Sequence, residues 1–127
     1  MVIYMSTILI SINPQHVKKI LSGIKKCEYR RTIPKKKVDK IVIYETSPTK
    51  KVVCECTIKE VKILPKEQLW NETQNISGST YERFSNYFND RDKAVGYIID
   101  KITKYKEPKE LKDLGINFVP QSYIYLD

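Results

Sequence analysis

A chain of 127 residues, with 41% apolar residues, four glycines and six prolines, has the size and composition of one folded domain rather than of a disordered or fibrous chain. No apolar run reaches the roughly eighteen residues that cross a bilayer, and residues 1–12 lack a basic leader with a cleavage site. The formal net charge of +8 favours an anionic partner, so we expect a single cytoplasmic domain over residues 1–127 with no membrane partner.

Residues 7–12 predict a strand that leads directly into a helix. The alternating apolar face of this strand consists of Ile8, Ile10 and Ile12. Asn13 suits the helix cap, Pro14 suits the first helical position, and Gly23 suits the stop. The only histidine, His16, falls in the first turn away from the apolar stripe, and we interpret it as an inert surface residue.

Three further strands are predicted at residues 27–32, 41–46 and 52–64, with a turn at residues 47–50. The apolar phase of the third strand changes near Lys59 and Glu60, which indicates a bulge or sharp bend. Bends of this kind let a sheet curl, so the pattern favours a barrel over an open sheet.

The second half of the chain predicts two short helices and then two strands. Pro65 opens the first helix, and the Ser79 to Glu82 pattern matches a capping box before the second. We interpret an aromatic stripe on the second helix as core packing: Tyr81, Phe84, Tyr87 and Phe88. Strands at 94–105 and 121–126, with one or two helical turns at 108–114, complete the order β-α-β-β-β-α-α-β-β.

The three cysteines predict neither a disulfide nor a metal site. Cys27, Cys54 and Cys56 are odd in number and lack the CxxC pairs and histidines of a zinc site. Cys54 and Cys56 are two residues apart in a predicted strand, so both thiols face one side. We expect reduced, buried cysteines, no metal and no other cofactor.

Positive charge is concentrated in the first half of the chain. The first 64 residues hold fourteen Lys or Arg against five acids, whereas the remainder holds nine against ten. Ten of these cations fall between Lys18 and Lys40, where only Glu28 and Asp39 oppose them. Such a segment suits a phosphate backbone, although lysines also serve simply to keep a surface soluble.

The segment that follows the first predicted helix carries a cation, a carboxylate and a guanidinium. In a strand, Glu28 and Arg30 point to the same side, so they share a surface near Lys25. Lys25 and Arg30 can donate to phosphate or carbonyl oxygens, and Glu28 can accept from the exocyclic amine of a base. An ordinary Glu–Arg surface pair has the same spacing and is the alternative interpretation.

Four residues fill the pattern GxKxxExR: Gly23, Lys25, Glu28 and Arg30. In this position, after the first helix, the pattern resembles the ASCH family, and the likeness extends to the closing segment at residues 120–123. The family adopts a PUA-like β-barrel, so the resemblance implies an α+β fold with a mixed barrel and short flanking helices. It also implies a pocket between the barrel and the first helix, and a role in binding RNA or modified nucleosides.

Our first interpretation is a binding module for RNA or a nucleotide, with Lys25, Glu28 and Arg30 around one nucleotide in that pocket. Neighbouring basic residues would attract the flanking phosphates: Lys18, Lys19, Lys26 and Arg31. Gly23 in the motif and Gln121 and Ser122 in the closing segment complete the predicted nucleotide-binding set.

Some ASCH members are enzymes that hydrolyse the amide of acetylated cytidine or degrade RNA, which gives the alternative interpretation. Lys25 occupies the central lysine position of the amidohydrolases, where it would act as base or nucleophile, with Glu28 sharing the acid and base roles. Two departures from the amidohydrolase pattern weigh against amide hydrolysis. That pattern has a threonine where this chain has Glu28, and it has an acid in the loop that corresponds to residues 73–80, which contain none. A third alternative, a protein-interaction domain, rests on Tyr123, Tyr125 and exposed lysines.

Overall fold

The fold is seen in a computed structural model that describes residues 5–127; residues 1–4 of the predicted domain lie outside the described residues. The strands are β1 (Met5–Ile12), β2 (Cys27–Arg30), β3 (Lys37–Glu45), β4 (Lys51–Pro65), β5 (Lys93–Lys109) and β6 (Tyr123–Tyr125). The helices are α1 (Pro14–Leu21), α2 (Lys66–Thr73) and α3 (Tyr81–Phe88), with 3₁₀ turns at Gln74–Ile76 and Leu111–Leu114. The α+β class and the predicted order of strands and α-helices are confirmed.

Helix α1 begins and ends where the sequence predicts. The Asn13 side chain accepts a hydrogen bond from the backbone N–H of His16 at 3.0 Å, which caps the first turn. Gly23 follows the helix with a φ of +82°, in the left-handed region that favours glycine. Val17 and Ile20 are buried, so the apolar face of the helix packs against the sheet.

The six strands of the described residues form one mixed sheet in the order β2-β5-β4-β3-β1-β6, and among these strands only β1 and β3 pair in parallel. Pairing of β4 with β5 shifts register twice between Cys56 and Glu60, which confirms the predicted bulge. The curl brings β2 close enough for Arg30 to donate to the Ser11 carbonyl of β1 at 2.9 Å. Within residues 5–127, however, β2 and β6 remain edge strands, so a closed barrel is not confirmed.

Several boundaries differ from the predicted ones: β2 ends at Arg30 and not at residue 32, and β3 begins at Lys37 and not at residue 41. β5 continues to Lys109, so Pro108 lies near the end of a strand instead of starting a helix. It falls between Lys104 and Lys109, where the pairing with β4 shifts register, so the sheet does not need a backbone N–H from this residue. β6 spans only Tyr123–Tyr125. The cap of α3 is Thr80 and not Ser79, because the Ser79 backbone N–H donates to Ser77 Oγ at 3.1 Å in a separate turn.

The core has a large cluster within the curled sheet and a second one where α2 and α3 cover β2 and β5. All three cysteines are free and buried, as predicted. Burial raises the pKa of Cys27 to about 12, so this thiol is unreactive near neutral pH. In the described part of the chain, every helix is too short or too polar to cross a membrane.

Candidate functional site

A cavity of about 480 Å³ opens between α1, β2 and α3, at the side of the sheet where β2 approaches β1. Its volume falls within the range of about 300–1,000 Å³ that is typical of small-molecule sites. The polar residues of its wall include Ser11, His16, Lys19, Lys25, Glu28, Arg30, Ser79, Arg83 and Tyr87.

A network of ion pairs centred on Glu28 forms one part of the wall. Lys25 Nζ lies 2.7 Å from Glu28 Oε1, and Arg30 Nε and Nη2 lie 3.0 and 2.8 Å from Glu28 Oε2. Lys25 Nζ also donates to His16 Nδ1 at 3.1 Å, and Arg30 Nη2 donates to Ser11 O at 2.9 Å. The groups therefore form one continuous chain of contacts from α1 to β1.

Little of this network is exposed to water. The exposed fraction of the side chain is 7% for Lys25, 7% for Glu28 and 14% for Arg30. Burial by itself raises the pKa of Glu28, but the charges of Arg30 and Lys25 outweigh burial, so the net pKa lies below its usual range. Glu28 is therefore a carboxylate at neutral pH. Its Oε1 contacts Lys25 without hydrogen-bond alignment and so retains capacity as an acceptor.

The alternation of β2 produces this arrangement. Glu28 lies opposite Tyr97 of β5, and Arg30 lies opposite Val95, so both charged side chains share one face. Tyr29 faces the other way and packs edge-on against Phe84, with ring centroids 4.7 Å apart. The aromatic contacts on the back of β2 thus anchor the strand that carries the charged pair.

Contacts with α1 and with the loop before α3 fix the position of Lys25. The backbone N–H of Lys25 donates to Lys19 O at 3.0 Å, and that of Lys26 donates to Ile76 O at 2.7 Å. Gly78 has a φ of +62°, and a Cβ at this position would lie 3.2 Å from the Cβ of Lys25. Glycine therefore allows the loop to approach the lysine closely, a role that the sequence analysis did not predict.

The predicted surface position of His16 is partly wrong, and its inertness stays a prediction. His16 is half-buried in the cavity wall, in the first turn of α1 and on the same face of this helix as Lys19. Burial lowers the pKa of His16, and the positive charge of Lys25 lowers it further. The imidazole is therefore neutral at pH 7, and because Nδ1 accepts from Lys25, its proton is on Nε2 as a donor.

The pH titration of His16 is a direct test of its contact with Lys25. Because the chain has a single histidine, its C2 proton gives one assignable NMR signal. We expect a pKa below 6.5, and we expect Lys25→Met to raise it part of the way towards 6.5 because burial remains. Lys18→Met is the matched control and should leave this pKa unchanged. A value at or above 6.5 in the wild-type protein would contradict the described contact.

The lowered pKa of His16 makes the stability of the folded state depend on pH in a defined direction. The unfolded state binds the His16 proton at a higher pH than the folded state, so His16 reduces stability as the pH falls below about 6.5. The loss is complete once the pH has passed below the pKa of the folded state.

The remaining residues of the predicted motif and closing segment are not part of the cavity wall. Gly23 ends α1, and the Lys26 side chain is exposed; neither residue lines the cavity. Gln121 and Ser122 are also outside the lining, but the Ser122 carbonyl accepts from the backbone N–H of Ser11 at 3.4 Å. The structure thus brings together Lys25, Glu28 and Arg30, and places the closing segment next to the cavity wall.

The interpretation of the aromatic stripe as pure core packing is partly wrong. Phe84 and Phe88 are buried, but Tyr81 is 43% exposed and Tyr87 lines the cavity. The predicted residue Arg31 lies outside the cavity and contacts Tyr87: its Nε donates to Tyr87 O at 2.7 Å, and its guanidinium lies 4.2 Å from the ring centroid. Tyr87 directly precedes the buried Phe88, so it is rotated by about 100° around the helix and lies at the edge of the aromatic face.

The cavity wall carries an excess of positive charge. Its cations are Lys19, Lys25, Arg30 and Arg83, and the carboxylate among its lining residues is Glu28. Within residues 5–127, no three His, Cys, Asp or Glu side chains come together as ligands for a metal ion. The arrangement is suited to an anionic ligand that is rich in hydrogen-bond acceptors.

Residues 10–111 match the model of the ASCH domain, so this chain belongs to the ASCH domain family. The resemblance predicted from the GxKxxExR pattern is confirmed. A relative, the ASCH domain-containing ribonuclease of Zymomonas mobilis, is 28% identical over 122 residues, which cover 93% of this chain and 82% of that protein. The crystal structure of ASCH from Zymomonas mobilis matches with a TM-score of 0.86 at 28% identity, over 96% of this chain and 88% of that chain.

Two proteins of Ureaplasma parvum serovar 3 are also similar. ATP synthase subunit alpha and large ribosomal subunit protein uL22 are 30% and 31% identical over 121 residues, or 94% of this chain. This chain spans only 15% and 39% of the lengths of those two proteins. The likeness therefore concerns a part of each protein.

Proposed function

We propose that this chain binds RNA, with one nucleotide of the strand in the cavity between α1, β2 and α3. The observation that carries the proposal is the cavity itself: about 480 Å³ in volume, with four cations around one carboxylate. A site of this size can enclose a base and its sugar, and its charge suits a phosphate. The name of the Zymomonas mobilis relative, a ribonuclease, supports RNA as the polymer.

The groups that remain available favour a ligand rich in acceptors. Arg30 donates from Nε and Nη2 to Glu28 and Ser11, so its Nη1 group remains available to a ligand. Lys25 donates one hydrogen bond to His16 and forms an ion pair with Glu28, so it keeps donor capacity for a ligand, and His16 presents Nε2–H. Base carbonyls, sugar hydroxyls and phosphate oxygens are the matching acceptors.

Glu28 has mainly a positioning role in this proposal. Both N–H contacts from Arg30 fall on Oε2, whereas Oε1 faces Lys25 and retains acceptor capacity. The carboxylate therefore holds Lys25 and Arg30 in place, and Oε1 is the atom that can accept a hydrogen bond from the exocyclic amine of a base.

Exposed cations outside the cavity would guide the rest of the strand. Lys18, Lys26 and Arg31 are exposed on the elements that border the site. Each phosphate neutralised by such a residue releases a counterion, so affinity should fall linearly with salt on logarithmic axes.

Titration of a short fluorescent single-stranded RNA tests the proposal. We expect affinity to fall steeply between about 50 and 200 mM salt. Lys25→Met should weaken binding about tenfold or more at constant salt, since a hydrogen bond to a charged group contributes about 1.5–3 kcal/mol. Lys112→Met removes an exposed lysine outside the cavity and is the matched control. Equal affinity of the Lys25→Met and Lys112→Met variants, both folded by circular dichroism, would exclude this cavity as the RNA site.

A second candidate function is RNA cleavage, which is favoured by the ribonuclease relative. Lys25 and Glu28 are then the predicted catalytic pair. Lys25 donates to His16 and lies 2.7 Å from Glu28 Oε1, and a proton-accepting role requires the uncharged amine form of a lysine, which has a lone pair. Incubation with RNA, and separately with acetylated cytidine, would distinguish the two hydrolase reactions. Product formation that is equal in wild type and Lys25→Met would remove Lys25 from the mechanism.

A further inference from the structure

Arg83 differs from the other cations of the cavity wall. Lys19 Nζ donates to Gly78 O at 2.9 Å, while Lys25 and Arg30 contact Glu28. The Arg83 guanidinium has no hydrogen-bond or ion-pair partner among the groups of residues 5–127. The whole fork of Arg83 donors is therefore available to a ligand, whereas Arg30 retains only Nη1.

The α3 side of the cavity contributes a cation and no carboxylate to the lining. Arg83 and Tyr87 are one helical turn apart, and both line the cavity. Arg31 packs against Tyr87 from outside, which places a second guanidinium on this side. Glu82, the acid in the first turn of α3, is not among the lining residues.

The cavity thus has two chemically different sides. On the β2 side, Glu28 offsets one of the two positive charges of Lys25 and Arg30, and the donors and acceptors of this network suit the base or sugar of a ligand. The α3 side presents Arg83, whose planar fork of donors matches the geometry of a phosphate.

We propose that Arg83 binds the phosphate of the nucleotide in the cavity, so that the chain selects phosphorylated ligands over nucleosides. This inference rests on the proposed function. Arg83 is not part of the GxKxxExR pattern, and its role follows from the position of α3 beside β2.

Calorimetric titration with uridine, uridine 5′-monophosphate and uridine 3′-monophosphate tests the inference. In the wild-type protein, we expect one of the monophosphates to bind about tenfold to hundredfold more tightly than uridine. Arg83→Gln should abolish this preference and leave the affinity for uridine unchanged. Arg91→Gln changes an exposed arginine that follows α3 outside the cavity, and it should retain the preference.

The outcomes separate this inference from the proposed function. A preference for monophosphates that survives in Arg83→Gln, while short RNA still binds to the wild type, overturns the role of Arg83 alone. Equal binding of uridine and both monophosphates by the wild type also overturns it. If the wild type binds neither these probes nor short RNA, the proposed function fails and the role of Arg83 fails with it.

Discussion

Replacing Glu28 with glutamine is expected to lower the free energy of unfolding by about 3–5 kcal/mol, because two nearly buried cations lose their counter-charge. The side chains of Lys25 and Arg30 are only 7% and 14% exposed, so water cannot replace the carboxylate. Glutamine keeps the shape of the side chain and removes its charge. Urea denaturation at pH 7, followed by circular dichroism, measures the difference.

Glu60→Gln is the matched control for this prediction. Glu60 pairs with Lys62 at 3.3 Å, but its side chain is 55% exposed, so the substitution should cost no more than about 1 kcal/mol. A loss for Glu28→Gln as small as that for Glu60→Gln would contradict the described network.

The effect of Glu28 should also depend on pH in a defined direction. Its pKa is lower in the folded state than the ordinary value of about 4.3, so its stabilisation is complete above that value. The stabilisation is lost as the pH falls through the pKa of the folded state. The difference between wild type and Glu28→Gln should therefore shrink in acid.

Replacing Arg30 with lysine is expected to cost about 2–4 kcal/mol, although the charge is unchanged. Arg30 makes three contacts, two with Glu28 Oε2 and one with the Ser11 carbonyl. A single ammonium group cannot reproduce this fork, so either the Ser11 carbonyl or Glu28 loses a donor. The link between the edge strand β2 and β1 weakens as a result.

Thermal unfolding and amide hydrogen exchange measure this second effect. We expect a lower Tm and faster exchange within β2, because the edge strand loses its side-chain link to β1. Arg91→Lys, in the exposed segment after α3, should change neither quantity. An Arg30→Lys variant with unchanged Tm and exchange would show that the bridge to Ser11 is unimportant.

The parts of the site that were predictable depend on short sequence spacing. Glu28 and Arg30 are two residues apart in a strand, and alternation alone puts them on one face. Lys25 is only three residues before Glu28, so a turn is sufficient to bring them together. The cap at Asn13 and the stop at Gly23 are equally local, and both were confirmed.

The parts that were missed depend on packing between distant elements. Arg83 and Tyr87 reach the cavity because the aromatic residues of α3 pack on the back of β2, more than fifty residues away along the chain. Gly78 approaches Lys25 through the loop that precedes the same helix. No periodicity within a single element encodes such contacts. Closure of the sheet depends in the same way on how far successive register shifts curl it.

A crystal structure of the chain with uridine 5′-monophosphate is the most direct test of the nucleotide site. We predict that the nucleotide occupies the cavity between α1, β2 and α3, with its base or sugar beside Lys25 and Arg30. Its phosphate oxygens should lie about 3 Å from the Arg83 guanidinium. A nucleotide bound elsewhere on the surface, with this cavity filled only by water at a saturating concentration, would contradict the proposed site.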